Sequence, residues 1–231
     1  MKTKFRFRFW PSLLVVIIVY SLFHAKAVHD FFYGIDPNEM VTRTLEWKTT
    51  AGEDRRAVFN IPRGYYEPSA LNKPGETIDL VLLYPNQAFV PRHERVPGPN
   101  KVSILIKTRG EHTLGDRFKD LMDAGTLEAE SGNKLLGKRG EMFVLRTISP
   151  NEVEPETYVF HDTVRGHWIS SVPKQGGDFR LGEATLKDQT AYVWYIYRNS
   201  TETNPIAMHQ WVMAFVENLQ VEQPATKAKQ P

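Results

Sequence analysis

The spacing of apolar and polar residues changes several times along the chain. Val41–Lys48 alternates, with Val41, Leu45 and Trp47 on one face, and Ala57, Phe59 and Ile61 repeat the pattern before Pro62. A period of two predicts half-buried strands. Thr77–Tyr84 is almost continuously apolar through Ile78, Leu80, Val81, Leu82 and Leu83, the pattern of a central strand covered on both faces. Lys101–Thr108 sets Val102, Ile104 and Ile106 against Ser103 and Lys107. The period then lengthens. Leu114, Phe118, Leu121, Met122 and Gly125 fall at helical spacing, with Thr113 and Asp116 placed as a capping box, so an amphipathic helix is expected over about 113–124.

After a stretch punctuated by Gly125, Gly132, Gly137 and Gly140, strand character returns in 141–148, 157–160, 166–172, 179–186 and 191–198. The last run is apolar or aromatic from Tyr192 to Tyr197 and reads as central. Asn204-Pro205 supplies a cap and a proline at the first helical position. Behind it, Met208, Trp211, Val212, Phe215 and Leu219 form the buried stripe of a helix over 205–219. The strands follow one another too closely for crossover helices, which predicts an α+β fold: an antiparallel sheet with both amphipathic helices packed on one face. Residues 28–222 form the single domain, and 223–231 a disordered tail.

The first 27 residues are organised differently. Lys2, Lys4, Arg6 and Arg8 precede Leu13–Phe23, which is apolar but for Ser21, and Ala25-Lys26-Ala27 follows. A cationic start, an apolar run and an A-x-A site describe a secretory signal cut before Val28. Eleven apolar residues fall short of the ~20 that span a bilayer. A retained anchor is the alternative, with Val28, Phe31, Phe32 and Tyr33 at the interface; the positive-inside rule then also places the body outside the cytoplasm. Both readings put the folded domain in the bacterial periplasm or on the periplasmic side of the inner membrane.

This leader also explains the charge. Of 29 Lys and Arg, five lie in residues 1–27, which hold no acid; the other 24 face 27 Asp and Glu, so the body is net negative. Its only adjacent cations, Arg55-Arg56 and Lys138-Arg139, are pairs. Nucleic acid, which selects clustered cations, is therefore not an expected partner. The absence of cysteine removes disulfides, thiolate metal sites and cysteine nucleophiles. A body of about 200 residues buries enough surface to be exported without disulfides.

Chemical motifs are sparse. The chain has no G-x-S-x-G, and its glycines have neither Walker nor dinucleotide spacing, so no nucleophile elbow, phosphate cradle or cofactor is implied. His161 and His167 bracket a possible hairpin turn; with Glu111 they are the best dispersed His/carboxylate set for a periplasmic hydrolase, but no third metal ligand lies nearby. His209, one place off the stripe of the last helix, reads as a boundary residue. The segment best suited to recognition is Pro85–Asn100, a long connection with prolines at 85, 91, 97 and 99 displaying Arg92, His93, Glu94 and Arg95. No motif ties the chain securely to a known family. The favoured reading is a non-enzymatic envelope protein, of immunity or inhibitor type, whose body binds another protein through that loop; the hydrolase is the rival.

Overall fold

The computed structural model describes residues 36–48, 54–66, 77–90, 100–108, 118–119, 133–147, 156–174, 178–186, 191–198 and 203–221. Strands β1 (Met40–Lys48) and β2 (Asp54–Pro62) form an antiparallel hairpin. A larger sheet contains β3 (Thr77–Leu83), β4 (Ala88–Phe89), β5 (Lys101–Thr108), β6 (Asn133–Arg139), β7 (Met142–Thr147), β8 (Thr157–Asp162), β9 (His167–Pro173), β10 (Phe179–Thr185) and β11 (Ala191–Arg198). Helix α1 (Pro205–Leu219) follows. The sheet order is β4-β3-β5-β11-β10-β9-β8-β7-β6, every neighbour antiparallel. From β6 to β11 the chain is a meander, as the short intervals require; β11 then closes against β5.

Alternation in β11 assigns the two faces. Val193, Tyr195 and Tyr197 point into the main core with Ile104 and Ile106 of β5, the β1–β2 residues Leu45, Ala57, Phe59 and Ile61, and Met208, Val212, Met213 and Val216 of α1. Helix and hairpin thus cover one face together. Asn204 caps the helix, its Oδ1 accepting from the Ile206 amide at 2.9 Å, with Pro205 next in line as expected. At the other end the Val221 amide donates to the Val58 carbonyl at 2.8 Å, fastening the helix exit to β2.

Four expectations are corrected. Only Phe118 and Lys119 of the stretch 113–124 fall among the described residues, both with helical backbone. Phe118 packs against Phe143 and Trp168, each at 5.4 Å between ring centroids. By strand alternation those rings lie on the sheet face opposite α1, so Phe118 does not share a face with the C-terminal helix; it seals a second, smaller core with Leu145 and Val159. Second, β3 is not central. Among the described residues its outer side meets just the two-residue β4 and a single bridge from Tyr66 to Leu80, and its apolar run reflects burial of both Leu80 and Val81, on opposite faces. Third, β6 was hidden by its composition: Asn133–Arg139 is polar and carries a bulge between Leu135 and Gly137, where Gly137 takes φ +138°. Fourth, among the described residues α1 is the only long helix, so the expected pair of helices on one face is not seen.

The leader, residues 1–27, and the tail, 223–231, lie outside the described residues. Among those described, no helix is long and apolar enough to cross a membrane.

Candidate functional site

Arg92, His93, Glu94 and Arg95 lie outside the described residues, but the base from which their loop departs is built in detail. The Tyr84 amide donates to the Asn100 carbonyl at 2.7 Å, closing the two ends of the connection on each other. Trp211 of α1 donates its indole N–H to the Pro85 carbonyl at 3.0 Å and meets the Tyr84 ring edge-on. Phe89 packs edge-on against Tyr65, with 4.6 Å between ring centroids. Aromatic side chains therefore fix where this loop begins, and a backbone hydrogen bond ties its end to that point.

The histidines behave differently. In the β8–β9 register His161 lies opposite Trp168, and Asp162 opposite His167. Consecutive strand residues point to opposite faces, so His161 and His167 are divided by the sheet and do not form a shared site. Glu111, the third member of that set, is outside the described residues. Among the described residues no group of three or more His, Asp or Glu side chains is placed to hold a metal ion.

What the structure does bring together is a buried polar chain between the β8–β9 turn, β11 and α1. Asp162 is its hub. Its Oδ1 accepts from the amides of Val164 and Arg165, at 3.0 and 3.2 Å, which shapes the turn. Its Oδ2 accepts from Arg165 Nη1 at 2.9 Å and pairs with His209 Nε2 at 2.8 Å. Arg165 reaches on to α1, where its Nε and Nη2 grip the two oxygens of Glu217. His209 Nδ1 lies 3.1 Å from the Tyr195 hydroxyl.

Electrostatics fix the protonation pattern. Burial would raise the Asp162 pKa, but hydrogen bonds from His209 and Arg165 outweigh it and hold the carboxyl well below the usual range. Burial lowers the pKa of His209, with Asp162 only partly opposing. Burial also pushes Tyr195 well above its ordinary value, so its hydroxyl keeps its proton and donates to Nδ1. The neutral imidazole then carries its own proton on Nε2 and donates to Asp162.

Tyr–His–Asp is the connectivity of a proton relay, yet the arrangement offers nothing for a substrate to reach. Tyr195 and His209 are each 1% exposed, and the Tyr195 ring lies flat over Gly182 of β10, its register partner. A Cβ at Gly182 would fall 2.0 Å from that ring. The chain is a structural pin that holds helix, hairpin turn and central strand together.

Sequence reasoning missed it by taking the stripe of α1 as too narrow. Pro205, Met208, His209, Val212, Met213 and Val216 share the buried side, and His209 stands three and four residues before Val212 and Met213, the spacing that marks a common face.

Fold and site together define an α+β protein with a nine-stranded antiparallel sheet, its face pinned to a C-terminal helix by a sealed polar chain. No family model matches the sequence, and no curated protein does. Among solved structures it is similar to Smlt3025, an immunity protein of the Stenotrophomonas maltophilia type IV secretion system, with a TM-score of 0.50 and 11% identity. That alignment covers 81% of this chain and 97% of the other. At this identity the two share a fold.

Proposed function

We propose that this chain is an exported envelope protein whose folded body binds and restrains another protein, as an immunity or inhibitor module does. The observation that carries the reading is the likeness to a secretion-system immunity protein over 97% of that protein's length. Two further features support it. The relay-like chain at Tyr195, His209 and Asp162 is sealed from substrate, and His161 and His167 are split across the sheet; both weigh against the hydrolase. The partner-binding residues we assign are Arg92, His93, Glu94 and Arg95, on a loop whose ends are clamped by Tyr84, Asn100 and Trp211. A clamped base lowers the entropy lost when a displayed segment binds. The cationic, apolar residues 1–27 act as signal or anchor and put the body in the periplasm.

The test is capture from intact bacterial envelopes with full-length protein and with Arg92, His93, Glu94 and Arg95 changed together to alanine. Replacement is preferable to deletion because Phe89 packs on Tyr65. The expected result is one envelope protein retained by the native chain and lost with the fourfold variant; that protein arrests growth when produced alone and not when this chain accompanies it. Absence of any such complex, or a full-length body facing the cytoplasm, overturns the reading. N-terminal sequencing separates a mature start at Val28 from an intact anchor beginning at Met1.

A further inference from the structure

At the far end of the sheet, like charges face each other and outnumber the carboxylate described beside them. Lys134 of β6 and Arg146 of β7 are register partners, and like charges directly opposite in a sheet destabilise it. Arg139, paired with Met142, lies on the same face by alternation. Among the described residues one carboxylate bridges them: Glu156 binds Arg139 at 3.1 Å and Arg146 at 3.5 Å. A further cation, Arg180, stacks 4.1 Å above the Tyr158 ring and donates to the Glu156 carbonyl at 2.6 Å. Arg146 Nε is buried with no acceptor. Lys134 and Arg139 are exposed, and Leu136, the extra residue of the bulge, is an exposed leucine between them. All this sits on a body whose net charge is negative.

We propose that this bulged cationic edge, centred on Lys134, Leu136, Arg139 and Arg146, is a docking surface for an acidic segment of a partner protein. The inference rests on the protein-binding reading above and names a second contact for it. Charge complementarity selects the occupant: carboxylates of a partner relieve the Lys134–Arg146 repulsion at the exposed Lys134, while Leu136 adds apolar contact at the centre. The bulge and the lysine discourage continuous strand pairing, so the contact is made through side chains. An anionic membrane is the weaker occupant. The first described residues pack beside β4, where Pro37 lies against Gly64 and Phe89. β4 and β6 are opposite ends of a nine-stranded sheet, about 38 Å apart at ~4.8 Å per strand, so the first described residues stand at the edge remote from this face.

The test places a photo-crosslinking amino acid at Leu136, at His93 and, as a control, at the exposed Ala214 of α1, in full-length protein in envelope-producing cells. The expected result is a protein adduct from position 136, absent from 214, whose yield falls about tenfold in Lys134→Glu and falls with added salt. The same substitution should leave the thermal midpoint unchanged or higher, because it turns a repulsive cross-strand pair into an attractive one. That combination distinguishes a docking role from damage to the fold. An adduct from 93 and none from 136 overturns the edge and leaves the binding reading standing. No adduct from either position overturns both. A lipid adduct from 136 overturns the proposal in favour of a membrane contact, and a protein adduct indifferent to Lys134→Glu and to salt overturns its electrostatic basis.

Discussion

His209 and Asp162 are 47 residues apart in sequence, and their Nε2 and Oδ2 atoms are 2.8 Å apart in the core. This one contact joins the C-terminal helix to the tip of the β8–β9 hairpin, and Arg165, held between Asp162 and Glu217, repeats the connection about two turns further along the helix. A buried charge keeps its place only while its partners remain. Asp162→Ala removes the hub and leaves Arg165, whose side chain is 7% exposed, with half its anchorage. It is expected to cost about 3–5 kcal/mol, read from urea unfolding monitored by tryptophan fluorescence. A loss below about 1 kcal/mol would show that the chain does not pin the fold.

The same pair sets a pH dependence with two windows. His209 has a folded pKa below its unfolded value, so beneath about 6.5 the unfolded chain takes up a proton that the folded one refuses, and stability falls as pH falls. Asp162 has a folded pKa far below its unfolded one. Its contribution is complete above about 3.9 and is lost as pH drops from there toward the folded value. His209→Gln keeps an N–H donor for Asp162 and cannot titrate. Urea midpoints of wild type and variant should converge as pH falls from 7.5 to 5, because wild type alone carries the first loss. Parallel curves across that range would refute the assignment.

Much of the architecture can be read from the periods of the chain. Strands such as Lys101–Thr108 and Ala191–Arg198, and the helix from Pro205 to Leu219, agree with the observed elements to within a residue or two, because one alternating or helical face is buried along their whole length. The polar chain was not legible for a reason of the same kind. His209 is polar and falls outside the apolar stripe read from the sequence, and its partner Asp162 ends a strand at the mouth of a turn, where Asp is ordinarily solvated. Nothing local signals that a sheet and a helix bring them together. β6 escaped because a bulged edge strand needs neither an apolar face nor alternation. The loop residues 92–95 stand out by length and proline content, signals that speak to display and carry no information about what is bound.

Gly182 is required by a neighbour. The Tyr195 ring lies across it, and a methyl group there would fall 2.0–2.3 Å from the ring carbons and hydroxyl. Gly182→Ala must therefore either move Tyr195, breaking its contact with His209, or distort β10. It is expected to destabilise by about 2–3 kcal/mol, the scale of overpacking in a rigid core. A double-mutant cycle with Tyr195→Leu isolates the cause: with the ring gone, the alanine should cost much less, giving a coupling energy of about 1 kcal/mol or more. Strict additivity would place the strain elsewhere.

Phe118 tests the covering of the face opposite α1. It is 3% exposed and touches both Phe143 and Trp168, and those two rings are 5.7 Å apart. The three form an aromatic cluster over the outer strands that the main core does not include. Phe118→Ala removes one ring of three and should cost about 3–5 kcal/mol if the site does not collapse. Trp168 reports the change directly: its emission should move to longer wavelength and become more open to quenching by iodide. The Tyr195–His209–Asp162 chain, on the other face, should be unaffected, so the pH dependence of stability should keep its wild-type shape about a lower mean. If the substitution alters that shape as well, the two cores are coupled through the sheet and the separation drawn from strand alternation fails.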